Sequence, residues 1–313
     1  MGKNVDPIQP LAANQPLGLV SILLVLLTAA LWGGTPVAIR FSEPSFPPVM
    51  LAAIRFALAA VFMVFWCRLA GTSLQVRRGQ WLPILIAGLL LFPQITLFNI
   101  GVYLSNASHG STQINTFVFW VVAIEHFITR TDRLNSRRVV GLVVAFVGAL
   151  LILFDAKGEA TTEQVESPTM LGDAFLLASA LVLAIKIVVV KQAVKTVEPG
   201  KLIFWHGVIG VLLFTAYSLS SEQFQIEKVT TPAVISVIYQ GLLVAGLCFV
   251  IQAMLLRKHS ATQISVFSFT TPLFGVLFAV LMRGDRLSPW FVIAAMFVAV
   301  GILLVNLKER NGD

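Results

Sequence analysis

The residues best equipped for chemistry are few, and they stand inside strongly apolar runs. Arg55 lies in AAIRFALAA, Glu125 in VVAIEHFIT and Lys186 in LVLAIKIVVV. An ionised side chain near the middle of a bilayer costs roughly 2.5 kcal/mol or more, so each of the three calls for a use. Arg55 falls seven residues into its run, roughly 10 Å deep at helical rise. It suits either a substrate carboxylate or the carbonyls of a broken first helix. Glu125 and Lys186 lie 17 and 15 residues from the starts of their runs, roughly 25 and 22 Å along a helix. Paired, they would form a salt bridge at an inner gate; unpaired, Lys186 would snorkel to the surface. Glu125 is the carboxylate set well inside a run, which makes it the candidate for proton coupling. At that depth it also lies close to the hydrated cytoplasmic side, the plainer reading.

Uncharged polar and aromatic residues are the better candidates for lining a cavity, since neutral groups can hold a ligand without holding it too tightly to release. Asn99 and Tyr103 are one helical turn apart. Thr112, Asn115 and Phe119 share a stripe, and Gln113, Thr116 and Trp120 an adjacent one. Gln240, Gln252, Thr262, Gln263 and Thr270 supply the counterparts in the second half, and Trp32 precedes Gly33, Gly34 and Pro36 where a bend is expected. Each has a structural alternative, because such side chains commonly hydrogen-bond across helices within bilayers. Catalysis finds no footing. There is no phosphate-binding Gly-rich loop, and Cys67, Cys248 and the histidines lack metal-like or triad-like spacing, so no enzyme, metal or cofactor is expected.

The elements that must position these residues are helices in a membrane. Hydrophobic residues make up 57% of 313 and charged residues 12%, with a mean hydropathy of +0.88. The apolar residues gather in ten blocks, near 18–39, 48–67, 81–103, 108–129, 137–154, 171–190, 200–219, 232–255, 260–282 and 289–307. Each suffices to cross about 30 Å of hydrocarbon. Period-two alternation is missing, which argues against a membrane barrel. The first block is too long for a signal-peptide core and is read as retained. A net charge of +7 comes without a basic stripe and interleaved aromatics, so nucleic acid is not an expected partner. The basic residues instead orient the chain. Arg68, Arg77, Arg78, Arg130, Arg133, Arg137, Arg138, Lys191 and Lys195 crowd alternate loops, placing both termini in the cytoplasm and the chain in the cytoplasmic membrane.

A repeat organises the ten blocks. SHGSTQI at 108–114 returns as KHSATQI at 258–264, LTAALWGG from Leu27 lies over LASALVLA from Leu177, and Phe117 and Phe119 lie over Phe267 and Phe269. The register then slips by three, with TDRL at 131–134 over GDRL at 284–287. The reading is a cytoplasmic tail at 1–16, a five-helix repeat at 17–154, an outer linker at 155–169, a second repeat at 170–307 and a cytoplasmic tail at 308–313. Five is odd, so the second repeat enters the membrane inverted, which places the duplicated Thr and Gln residues at opposite mouths.

With LWGGTPVAIRF at 31–41, AAIRFALAA at 52–60 and TTPLFGVLFAVLMRGDRLS at 270–288, the chain resembles the EamA-type, ten-helix branch of the drug/metabolite transporter superfamily over nearly its whole length. The resemblance implies an all-α membrane protein, a cavity between the two repeats, and export of small metabolites such as amino acids or of drug-like compounds. One stretch departs from the pattern: TFVFWVVAIEHFITRTDRL at 116–134 has no proline, so the fourth helix is expected to be straighter than the ninth, which Pro272 kinks. The expected function is secondary export of a small metabolite, an amino acid or related compound, by alternating access. The alternatives are a proton-coupled exporter of cationic drugs and a non-transporting membrane scaffold. Expected partners are the lipid bilayer and a small-molecule substrate, with the protein a monomer or homodimer. Small-residue faces at Gly141, Ala145 and Gly148 and at Ala295, Ala299 and Gly301 are read as packing surfaces.

Overall fold

The computed structural model describes residues 15–42, 44–105, 107–158, 169–283 and 289–307. Helices and their short connections account for all of them, arranged as ten consecutive spans. The first is Leu19–Gly33 continued by Thr35–Ser42; the second is Pro48–Leu69, the third Arg78–Leu104. The fourth is built from Ala107–Ile114, Phe117–Ala123 and Ile124–Ile128, and the fifth is Ser136–Gly158. Met170–Ala193, Pro199–Ser221 and Thr231–Lys258 follow. Ala261–Ser265, Val266–Thr270 and Thr271–Arg283 form the ninth span, and Pro289–Asn306 the tenth. Seven of the spans are individually long and apolar enough to cross a membrane.

The chain marks its own helix ends. Pro48 and Pro199 open spans where their missing N–H costs nothing. Thr169 and Thr230 accept from the amides of Gly172 and Ala233, and Ser260 and Gln263 close a reciprocal capping box at the start of the ninth span. Large apolar side chains such as Leu19, Val61, Phe65, Met170 and Leu212 point outward, as a lipid-facing belt requires.

The spans pair as two inverted repeats should. The third packs on the sixth and the first on the eighth, which exchange under the repeat relationship; the second packs on the seventh and the fifth on the tenth, which are each other's equivalents. The fifth and tenth approach closely. A Cβ on Gly301 would stand 2.5 Å from the Gly141 carbonyl oxygen, and one on Gly148 2.8 Å from that of Ala294. The small-residue contact is therefore made within one chain. On the tenth span the packed face is Ala294, Val298 and Gly301, while Ala299 is exposed and Ala295 only partly covered, a correction to the expected face.

The fourth helix is not straighter than the ninth. It breaks at Asn115–Thr116, and the ninth tightens into a 3-10 stretch at Val266–Thr270, close to the position the 150-residue offset predicts. The fourth breaks without a proline because side chains take the carbonyls its helix would use. Asn115 donates to the Ser111 carbonyl at 2.7 Å and Thr116 to that of Gln113 at 2.6 Å. In the ninth, Thr270 does the same to Phe267 at 2.6 Å, and Pro272 follows with no N–H to give. The first span breaks at Gly34, two residues before Pro36, whose side chain lies outside the described residues. The eighth widens into π-helix at Tyr239–Cys248.

Candidate functional site

Two buried cations stand at the centre, on adjoining aromatic rings. Phe56 of the second span and Phe249 of the eighth are 5.8 Å apart, and His206 of the seventh lies 6.4 and 5.9 Å from them. The Arg55 guanidinium sits 5.2 Å from the centroid of Phe56, and the Lys186 ammonium 5.0 Å from that of Phe249. Arg55 is 4% exposed and Lys186 5%. Lys186 donates to Gln94 Oε1 at 2.7 Å, while Ser179 holds the Gln94 backbone carbonyl at 2.8 Å. Among the described residues Arg55 has only a long contact of 3.4 Å to Gln240 Oε1; Gln240 in turn donates to Ser42 at 3.2 Å. No hydrogen-bond partner among the described residues meets Arg55 Nε. Spans from both repeats thus contribute to one polar centre inside an apolar bundle.

Two small cavities, each with room for about one water molecule, adjoin it. One is lined by Lys186, Ile203, His206, Phe249 and Gln252. The other is lined by Thr28, Trp32, Gln252, Phe267 and Ser268. Gln252 borders both cavities, whose walls are otherwise largely apolar, with Val25, Leu255 and Ile264 in one and Ile187 and Val190 in the other.

A lock closes the side of the molecule that carries residue 15 and residue 307. Glu125, with no exposed surface, receives Lys191 Nζ at 2.6 Å, the Thr262 amide at 2.7 Å, the Thr262 hydroxyl at 2.9 Å and the Ala261 amide at 3.2 Å. The carboxylate of the fourth span therefore sits on the N-terminus of the ninth, where helix dipole and free amides favour a negative charge. Beside it, His259 bonds Ser21 at 2.9 Å and the Gln15 carbonyl at 2.8 Å, while the Gln15 amide donates to the Lys258 carbonyl at 2.9 Å. The chain ahead of the first span is thereby strapped across the joint.

The opposite side is held differently. Glu222 accepts the amides of Val49 and Met50, each at 2.8 Å, and the Ser218 hydroxyl at 2.8 Å, capping the second span. Phe46 stacks on Phe224 at 5.8 Å, Ser45 donates to the Lys228 carbonyl at 2.8 Å, and the Tyr239 hydroxyl bonds the Leu31 carbonyl beside the break at Gly34. The repeat places Gly275, or Phe278 after the register slip, where Glu125 stands. The two ends of the bundle are therefore fastened by different chemistry.

Several expected positions are corrected. Glu125 pairs with Lys191 and not with Lys186, because five helical residues separate the two lysines by about 7.5 Å and turn them to different faces. Lys186 does not snorkel, since Gln94 and Phe249 hold it inside. Thr262 is part of the lock, and Gln263 is spent on the cap of its own helix, accepting the Ser260 amide at 3.1 Å. Asn99 is buried but donates to the Pro48 carbonyl at 2.8 Å, tying the second span to the third. Asn115 bonds within its own helix. Thr112 and Gln113 are half-buried, the latter with an unpartnered Oε1. Tyr103 and Trp120, 60% and 44% exposed, face outward. His109 has its side chain outside the described residues. Gln94 and His206 were not singled out by sequence reasoning, and Lys191 was read only as one of the basic residues that orient the chain. Gln94 is a lone amide in LLLFPQITL and was legible as an anomaly; the other two carry no signal beyond their residue type.

A profile of the EamA-like transporter family matches residues 19–154 and 170–307, the two halves that pack as inverted repeats. The chain belongs to that family. This EamA-like transporter is 22% identical to an uncharacterized transporter, YoaV, of Bacillus subtilis over 289 residues, covering 92% of this chain and 95% of the relative. It is 24% identical over 291 residues to a probable amino-acid metabolite efflux pump of Escherichia coli, covering 90% and 93%. A solved crystal structure superposes with a TM-score of 0.77 at 17% identity, covering 92% of this chain and 98% of the other, which supports the ten-helix architecture of the transporter.

Proposed function

We propose that the protein exports a small metabolite, an amino acid or related compound, across the cytoplasmic membrane by alternating access between its two repeats, with both termini in the cytoplasm. The observation that carries this reading is the central set of Arg55, Lys186, Gln94, Gln240, His206 and Gln252, drawn from both repeats and lying between two differently fastened mouths. In this reading the side carrying Glu125 and Lys191 is the cytoplasmic gate. It opens when the ninth span withdraws Thr262 and the Ala261 amide from the carboxylate and the sixth withdraws Lys191. The other gate opens when the first and second spans part from the seventh and eighth, releasing the Phe46–Phe224 stack. The distant relative named as an amino-acid metabolite efflux pump agrees with this substrate range.

The reading is tested by efflux from proteoliposomes loaded with labelled amino acids or with organic cations, each with and without a pH gradient. Amino-acid efflux that ignores the gradient is expected. Cation flux that needs an opposing proton gradient would replace it with a drug/proton exchanger, and no flux of any compound would leave a membrane scaffold. Against the exchanger stands the use already made of Glu125, whose carboxylate is consumed by the gate.

A further inference from the structure

We infer that Arg55 and Lys186 form a carboxylate-binding site at the middle of the bundle, so that the exported compound must carry an anionic carboxylate and cationic compounds without one are refused. This deepens the export reading and rests on it. Two cations buried beneath lipid-facing helices are costly, and a folded chain normally offsets such a charge with an acid nearby. Here the ion pairs among the described residues are Arg138–Asp132 and Lys191–Glu125, and neither involves the central cations. Glu125, the carboxylate set deep in the bundle among the described residues, is already committed to Lys191 and to the ninth helix. What Arg55 and Lys186 receive instead is partial: two ring faces, one strong acceptor for Lys186 in Gln94, and a long contact for Arg55, whose Nε is unpartnered.

The missing negative charge is therefore left for a ligand to bring. A carboxylate has two oxygens able to accept from a guanidinium edge and an ammonium together, and charge-assisted bonds of that kind are about twice as strong as neutral ones. Transport also requires release. The existing neutral acceptors, Gln94 and Gln240, give both cations somewhere to return when the ligand leaves, so the empty site remains tolerable. The small cavity beside Lys186 is lined by His206, Phe249 and Gln252, and Gln252 also borders the separate cavity beside Trp32, so polar and aromatic side chains adjoin the two cations.

The deciding experiment uses the full-length protein in proteoliposomes loaded with matched labelled compounds: leucine, phenylalanine and glutamate, the amides leucinamide and phenylalaninamide, and the amine 3-methylbutylamine. At least tenfold faster efflux of the acids than of the matched amides and amine is expected. Lys186→Met and Arg55→Met should remove that preference while Lys186→Arg retains part of it, each variant first shown to be monodisperse in detergent. Amides and amine leaving as fast as the acids would overturn the site while leaving export intact. So would a preference for acids that survives in monodisperse Lys186→Met and Arg55→Met. If no compound moves at all, the export reading falls and the site with it. The comparison of acids with amides needs only the native chain, so it stands even where a variant does not fold.

Discussion

Replacing Glu125 by Gln tests the gate with the smallest change in shape. The carboxylate accepts four short contacts from Lys191, Ala261 and Thr262, and the amide would keep one acceptor oxygen while turning an NH2 group toward donors. Breaking one partner of a buried ion pair costs roughly 3–5 kcal/mol. Only the part lost on opening shifts the gate, and about 3 kcal/mol of it would raise the open population about a hundredfold, since 1.4 kcal/mol is a factor of ten. Ser268 reads this out. It lies beyond Thr262 on the ninth span and lines the cavity with Trp32. In a background with Cys67→Ala and Cys248→Ala, the Ser268→Cys thiol should react with an impermeant maleimide in inverted membrane vesicles at least tenfold faster when Glu125→Gln is added. Lys191→Gln should act similarly, and the double substitution should add less than the sum of the two, because both remove one contact. Unchanged labelling in a folded Glu125→Gln protein would refute the gate.

Three further outcomes follow from packing and capping. Gly301→Leu should destabilise the fold by at least about 1–3 kcal/mol, the usual cost of overpacking, since even the first carbon of its side chain would meet the Gly141 carbonyl at 2.5 Å; a lowered thermal midpoint in detergent, with no dimer dissociation, checks it. Glu222→Ala should cost about 1–2 kcal/mol through two lost amide caps on the second span and Glu222→Gln distinctly less, measured by the same unfolding scan. Tyr103→Phe and Trp120→Phe should leave substrate ranking and efflux rate within about twofold, as both side chains face outward; a changed ranking would show that they line the path.

Ten helices, their inversion and their ends were legible in the chain. Apolar blocks record the thickness of the bilayer, and an odd-numbered repeat can enter it only upside down. The break in the fourth helix was harder to see, because Asn115 and Thr116 cause it by bonding backward to carbonyls, a choice that composition does not reveal. Burial was harder still. Asn99 and Tyr103 are four residues apart on nearly one face, yet one is enclosed by the second span and the other is exposed, since a neighbouring helix covers only part of a stripe.

The sequence by itself determined that Arg55, Glu125 and Lys186 had to be accommodated within apolar helices, because position along a helix fixes depth. It did not determine what they touch. Only the tertiary structure gave Glu125 to Lys191 and the ninth helix, and set Lys186 and Arg55 against Phe249 and Phe56 with no acid among the described residues beside them. A partner is chosen by direction around the helix axis and by which helices cross there, and both depend on how all ten spans pack together.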